Sequence, residues 1–166
     1  MNIVLCGMMG SGKSTIGQII AQKTLFTLCD TDKIIEKKYG SISQIFAVHG
    51  EAYFRELESQ TVKELSSCDN LVVATGGGLV LRDKNIALLK EKGKIVFLRA
   101  KAETLINRLQ KDASRPLLQQ GESPSERIKT LLATRAPIYE RVADFVVDVD
   151  DKGAEEIAES VVLLMK

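Results

Sequence analysis

The sequence predicts an α/β protein of three layers, α/β/α, in which a five-stranded parallel sheet is covered by helices on both faces. Two observations lead to this prediction. Apolar runs alternate with amphipathic stretches from one end of the 166-residue chain to the other. The runs are continuously apolar, which is typical of parallel strands that are buried on both faces.

The individual elements follow from hydrophobic periodicity and turn residues. The predicted strands cover residues 2–6, 26–29, 71–74, 95–98 and 145–147. The predicted helices cover residues 14–23, 31–38, 43–48, 51–67, 83–91, 103–110 and 154–164. Another helix is predicted to begin after Ser123. Ser123 would cap it, Pro124 would lie in its first turn, and Glu126 would complete a capping box. We expect Pro137 to break this helix.

Length and composition indicate one globular domain over residues 1–166. A net charge of +1 argues against a dedicated nucleic-acid binder, and no apolar run is long enough to cross a bilayer. The chain begins with a core strand, so we expect no signal peptide. Three cysteines without C-x-x-C spacing favour a cytoplasmic protein. No interface stripe is visible, so we expect a monomer.

A phosphate-binding P-loop is the most specific motif in the chain. Residues 7–14 read GMMGSGKS, which matches G-x-x-x-x-G-K-[ST]. The glycines allow backbone N–H groups to surround an anion, Lys13 would neutralise the outer phosphates, and Ser14 would bind Mg²⁺. An ordinary glycine turn is the alternative, but the motif stands between a predicted strand and a predicted helix, as a P-loop does.

Two aspartates and a glycine run follow other strands, so we expect them beside the P-loop at the carboxyl edge of the sheet. Asp30 and Asp32 would supply one carboxylate for Mg²⁺ and one to accept a hydroxyl proton, although one of them could simply cap the next helix. The run 76–78 is three glycines, which allow backbone to approach a ligand closely.

Three arginines are further candidates for binding an anionic substrate. Arg55 lies three residues before Glu58 on one helix face, and the pattern alone favours a solvated surface ion pair. Arg135 would also pass as a surface residue. Arg115 lies in a long polar stretch that we interpret as a lid. The single histidine, His49, is interpreted as a surface residue at a helix end.

Taken in order, six motifs make most of the chain similar to the shikimate kinase family. They are the P-loop at 7–14, the turn at 30–32, FRELE at 54–58, the glycines at 76–78, RPLL at 115–118 and RAPIY at 135–139. The resemblance implies a P-loop kinase fold with a substrate-binding helical segment at about 31–60 and a lid at about 111–123. It also implies transfer of the γ-phosphoryl group of ATP to the 3-hydroxyl of shikimate, with Mg²⁺.

The resemblance assigns roles to individual residues. Asp32, as the base, would act in catalysis together with Lys13 and Arg115, and Ser14 and Asp30 would hold the metal. ATP would be bound by Gly10, Ser11, Gly12, Lys13, Ser14, Thr15, Arg108 and Arg115, with Arg108 against the adenine. Shikimate would be bound by Asp32, Arg55, Gly77, Gly78, Arg135, Phe46 and Phe54.

Two other classes of protein remain open on the residues alone. Another small P-loop kinase, acting on gluconate or on a nucleoside monophosphate, would also combine a P-loop with arginines. A nucleotide-binding regulatory module that has lost catalysis is less consistent with the sequence, because no chemical part of a kinase site is missing.

Overall fold

The structure is a computed structural model that describes residues 1–111 and 123–166. The strands are β1 (Asn2–Cys6), β2 (Thr27–Asp30), β3 (Leu71–Ala74), β4 (Gly93–Arg99) and β5 (Phe145–Asp148). The helices are α1 (Lys13–Thr24), α2 (Thr31–Tyr39), α3 (Ile42–His49), α4 (Glu51–Ser66), α5 (Asp83–Lys92), α6 (Ala102–Gln110), α7 (Pro124–Val142) and α8 (Ala154–Leu164), with a short 3₁₀ helix at Leu79–Leu81. The predicted lid, including Arg115, lies almost entirely outside the described residues.

The five strands form one parallel sheet in the order β2-β3-β1-β4-β5, which confirms the predicted α/β class. β1 and β3 are buried along their whole length, as their unbroken apolar sequences require. Because all strands run the same way, their carboxyl ends meet at one edge of the sheet. The P-loop, Asp30 and the glycine run therefore leave the sheet at that edge.

Helices cover both faces of the sheet. Gly17 of α1 packs closely against Leu5 and Leu28 on one face. On the opposite face, the ring of Tyr139 in α7 lies 5.1 Å from that of Phe97 in β4. Apolar residues from both sides of the sheet belong to one continuous core.

The helices α2, α3 and α4 form a smaller layer with an apolar cluster of their own. Its buried members are Ile35, Ile45, Phe54 and Leu57, and Phe46 packs against them. This cluster packs the three helices against one another beside the carboxyl edge of the sheet. Among the described residues, no helix is both long and apolar enough to span a membrane.

The predicted break of the last long helix at Pro137 is wrong, because α7 continues through it to Val142. A proline in a helix removes the hydrogen bond to the carbonyl four residues earlier. That residue, Ala133, is exposed, so water can satisfy its carbonyl. Ile128 before the proline and Tyr139 after it are both buried, and their packing against the core stabilises the helix on both sides of Pro137.

Candidate active site

The P-loop is shaped by glycines at positions where a side chain would not fit. Gly7, Gly10 and Gly12 have φ angles of +144°, +83° and +96°, which other residues rarely adopt. A Cβ on Gly7 would lie 2.8 Å from the carbonyl oxygen of Leu98. The loop can curl tightly beneath an anion because these side chains are absent.

Two side chains of α1 carry the chemistry of this loop. The Lys13 Nζ donates hydrogen bonds to the carbonyl oxygens of Gly7, at 2.7 Å, and Met8, at 2.9 Å, so the ammonium group lies over the loop. The Ser14 hydroxyl donates to Asp30 Oδ2 at 2.6 Å. Ser11 is fully buried within the loop, and Thr15 is exposed on the next turn.

Asp30 and Asp32 have different structural roles. Asp30 ends β2 and caps α2, since its Oδ1 accepts a hydrogen bond from the backbone N–H of Lys33 at 3.2 Å. Its other oxygen accepts the bond from Ser14, so the cap and the candidate metal ligand are the same residue. Asp32 lies in the first turn of α2. Burial and the neighbouring charge of Asp30 raise its pKa, while Lys13 opposes the rise.

The oxygens of Ser14 and Asp30 fit Mg²⁺, which prefers hydroxyl, carboxylate and phosphate oxygens. Within residues 1–111 and 123–166, no group of three or more His, Cys, Asp or Glu side chains could hold a metal. A metal at Ser14 and Asp30 would therefore take most of its ligands from water and from a bound nucleotide, as Mg²⁺ commonly does.

One cavity of about 510 Å³ joins the P-loop to Asp32 and the glycine run. Of the predicted site residues, it is lined by Gly10, Gly12, Lys13, Ser14, Thr15, Asp30, Asp32, Gly77 and Arg108. Arg108 reaches it from α6 and donates a hydrogen bond from Nη1 to the carbonyl oxygen of Gly10 at 3.1 Å. The cavity therefore has the P-loop at one end and the carboxylate of Asp32 at the other.

Arg55 and Glu58 form a buried ion pair next to this cavity, so the interpretation as a solvated surface pair is wrong. Arg55 Nη1 lies 2.6 Å from Glu58 Oε1, and the Glu58 side chain is 1% exposed. Glu51 also accepts a hydrogen bond from Arg55, at 3.2 Å. Burial raises the pKa of Glu58, an effect that the positive charge of Arg55 opposes. In the sequence, only its spacing from Arg55 indicated that Glu58 could orient the guanidinium group of Arg55.

The glycine run leaves room for these charged groups. A Cβ on Gly76 would lie 2.6 Å from Asp32 Oδ1 and 3.0 Å from Glu58 Oε2. A Cβ on Gly78 would overlap the guanidinium group of Arg55. The backbone N–H of Gly76 donates to the buried hydroxyl of Thr31 at 3.0 Å, which ties the run to α2. Apart from its position between two aspartates, nothing in the sequence indicated that Thr31 would bind the glycine run.

The remaining predicted substrate residues surround the same glycines without lining the cavity. Arg135 Nη1 lies 3.0 Å from where a Cβ on Gly77 would be. The rings of Phe46 and Phe54 lie 5.0 Å apart, and the guanidinium carbon of Arg55 is 5.4 Å from the centre of the Phe54 ring. His49 is exposed at the end of α3, as predicted.

A P-loop that shares one cavity with a half-buried carboxylate, beside two guanidinium groups, is the arrangement expected of a P-loop kinase that acts on a small molecule. The comparisons with known proteins specify which one. The family model for shikimate kinase matches residues 9–166. The chain therefore belongs to the shikimate kinase family.

Individual relatives agree with this assignment. The chain is 47% identical over 162 residues to the shikimate kinase of Caldanaerobacter subterraneus subsp. tengcongensis, an alignment that covers 97% of this chain and 94% of the relative. Among solved structures, shikimate kinase from Acinetobacter baumannii in complex with shikimate is 37% identical, with a TM-score of 0.92 over 99% of this chain and 92% of that chain.

A gluconokinase from Sinorhizobium meliloti 1021 shares the fold but little of the sequence. It is 20% identical, with a TM-score of 0.64 over 98% of this chain and 89% of that chain. The likeness therefore extends to the fold alone, and the comparisons favour shikimate kinase over the gluconate alternative.

We expect Gly78→Ala to weaken binding of the acceptor substrate specifically. The added methyl group would overlap the Arg55 guanidinium and displace it from Glu58. Steady-state kinetics should show a KM for the acceptor raised by about tenfold or more, since a charged hydrogen bond is lost, with the KM for ATP little changed. Gly153→Ala is the matched control, because a Cβ there meets nothing within 4 Å. Equal acceptor KM values for the two variants would contradict the role of the glycine run.

Proposed function

We propose that the enzyme transfers the γ-phosphoryl group of ATP to the 3-hydroxyl of shikimate, giving shikimate 3-phosphate and ADP. The observation that carries this proposal is the single cavity that joins the P-loop to Asp32 and the glycine run. A donor and an acceptor bound at its two ends would meet between Lys13 and Asp32. Phosphoryl transfer depends mainly on such positioning and on neutralising charge.

Asp32 is the proposed general base. Its carboxylate would accept the proton of the 3-hydroxyl as the oxygen attacks the γ-phosphorus, and the bond to the β-phosphate oxygen would break to release ADP. Burial raises the pKa of this carboxyl above its usual value, which strengthens it as a base. Lys13 and the P-loop backbone, from Gly10 to Thr15, would bind the phosphates and neutralise the negative charge that develops on them.

Mg²⁺ is the proposed metal, held by Ser14 and Asp30, whose oxygens are already adjacent. When bound, it would neutralise phosphate charge on the nucleotide. Arg108, which extends from α6 to the carbonyl oxygen of Gly10, would contact the adenine end of ATP. Arg115, which lies outside the described residues, remains a prediction as the cation of a lid at about 111–123.

Arg55 and Arg135 are proposed to bind the carboxylate of shikimate. Guanidinium groups suit this task because two parallel N–H donors match the two oxygens of a carboxylate. Both arginines adjoin the glycine run, where the backbone of Gly77 and Gly78 would add further contacts. Phe46 and Phe54 would form the apolar wall behind the ring of the acceptor.

We also propose that the protein acts as a cytoplasmic monomer with one kinase domain over residues 1–166, in which the helices of residues 31–60 bind the substrate. All three cysteines are unpaired, as expected in a reducing compartment. A net charge of +1 gives no support to nucleic-acid binding.

A coupled assay of ADP release tests the proposed acceptor. We expect turnover with shikimate, and a kcat/KM lower by about 10²-fold or more with gluconate or with nucleoside monophosphates, because their polar groups would leave buried partners unpaired. ATP without an acceptor is the control. Comparable kcat/KM values for gluconate and shikimate would contradict the proposal, and tight ATP binding without turnover of any acceptor would instead favour a regulatory module.

We expect Asp32→Asn to reduce kcat by about 10² to 10⁴-fold, because the amide cannot accept the hydroxyl proton. The affinity for an ATP analogue, measured by titration calorimetry, should stay close to that of the wild type. Asp83→Asn, on the exposed start of α5, is the matched control and should retain full activity. Near-normal kcat in Asp32→Asn would remove Asp32 as the base.

A further inference from the structure

The hydroxyl of Tyr139 makes a short buried hydrogen bond to the glycine run. Tyr139 is 0% exposed, and its hydroxyl donates to the carbonyl oxygen of Gly77 at 2.6 Å. Its ring packs at 5.1 Å from Phe97 of the central sheet, so the position of the hydroxyl is set by the core. Burial raises the pKa of Tyr139 to about 12, so the hydroxyl stays protonated and able to donate even in alkaline solution.

This hydrogen bond determines how one peptide group of the glycine run is oriented. The carbonyl of Gly77 and the N–H of Gly78 belong to the same peptide unit, which is planar and trans, so the two groups point in opposite directions. With the carbonyl directed at Tyr139, the N–H of Gly78 points away from it. Within the described part of the chain, this N–H donates to no protein acceptor.

The run has an alternative conformation that glycine would tolerate equally well. The N–H of Leu79 donates to the carbonyl of Gly76 at 3.1 Å, which closes a β-turn with Gly77 and Gly78 as its central residues. Gly78 has φ −98° and ψ −3°, the values of a type I turn. Glycine at this position commonly gives a type II turn, in which the central peptide is rotated by about 180°. The bond from Tyr139 favours the type I orientation.

The oriented peptide lies between the two arginines of the acceptor site. Arg135 adjoins Gly77, and Arg55 adjoins Gly78. An N–H with no protein partner at this point is suited to an anionic oxygen that both guanidinium groups also attract.

We propose that Tyr139 is a positioning residue that directs the Gly78 N–H at the carboxylate of the acceptor. The inference rests on the proposed function, since it takes shikimate as the carboxylate-bearing acceptor. Tyr139 itself touches no substrate in this account. It acts through the peptide group whose carbonyl it binds, and its hydroxyl also interacts with Arg135, which opposes the rise in the pKa of Tyr139. Its removal should therefore affect acceptor affinity and leave the nucleotide end unaffected, and the amide signal of Gly78 separates the peptide route from the Arg135 route.

Steady-state kinetics of Tyr139→Phe test this proposal. The variant keeps the ring and loses the hydroxyl, so the Gly77 peptide is free to rotate. We expect the KM for shikimate to rise by about tenfold, as for the loss of one buried hydrogen bond, while kcat and the KM for ATP change by less than about twofold. Tyr53→Phe removes a hydroxyl from the partly exposed Tyr53 of α4 and should leave both KM values unchanged.

The amide signal of Gly78 gives a second measurement. Protein labelled with ¹⁵N only at its 12 glycines has a spectrum simple enough to assign. In the wild type, shikimate should shift the Gly78 amide proton strongly, and in Tyr139→Phe the same saturating shikimate should shift it less. If the variant does not fold, the wild-type titration still decides, since an unresponsive Gly78 amide overturns the proposal.

Other outcomes distinguish a failure of the Tyr139 proposal from a failure of the proposed function. A shikimate KM in folded Tyr139→Phe within about twofold of wild type would overturn the role of Tyr139 alone. An equal rise in both KM values would also overturn it, because a general structural effect would not distinguish the substrates. A wild-type enzyme that does not phosphorylate shikimate would instead contradict the proposed function.

Discussion

The buried ion pair between Arg55 and Glu58 is the interaction on which the proposed acceptor half of the site depends. Removing a carboxylate from water is costly unless a partner and good geometry compensate for it. Glu58 meets this condition at one oxygen only, through a 2.6 Å contact of Oε1 with Arg55. The second oxygen, Glu58 Oε2, is buried and has no hydrogen-bond partner among the described residues. The negative charge of Glu58 thus holds the guanidinium group of Arg55 in place. The second oxygen of Glu58 can still accept a hydrogen bond.

The glycine run leaves the space that this ion pair occupies. Side chains on Gly76 or Gly78 would occupy the space that Asp32, Glu58 and Arg55 now fill. Two separate ties, from Thr31 and from Tyr139, then fix the backbone that the glycines leave free to rotate. The proposed donor half differs, since the P-loop would bind phosphates chiefly through backbone groups, aided by the side chains of Lys13 and Ser14.

Much of the fold and the site could be predicted from local sequence. The P-loop is specified by contiguous residues, and each strand contains a short apolar run, although β2 also includes the exposed Thr27. Burial of Glu58 could not be predicted, because it results from the packing of α4 against a glycine run about twenty residues away in sequence. The continuation of α7 through Pro137 depends likewise on buried residues on both sides of the proline, which local propensity does not reveal. The hydrogen bond of Tyr139 joins residues 62 positions apart.

Calorimetric titration of Glu58→Gln with shikimate tests most directly whether acceptor binding depends on the ion pair between Arg55 and Glu58. The substitution keeps the shape of the side chain and removes its charge, so Arg55 loses its main partner. We expect a Kd for shikimate weaker by about tenfold or more, with the Kd for an ATP analogue unchanged. Glu56→Gln, on the exposed side of the same helix, should change neither value. An unchanged Kd for shikimate in folded Glu58→Gln would contradict the account.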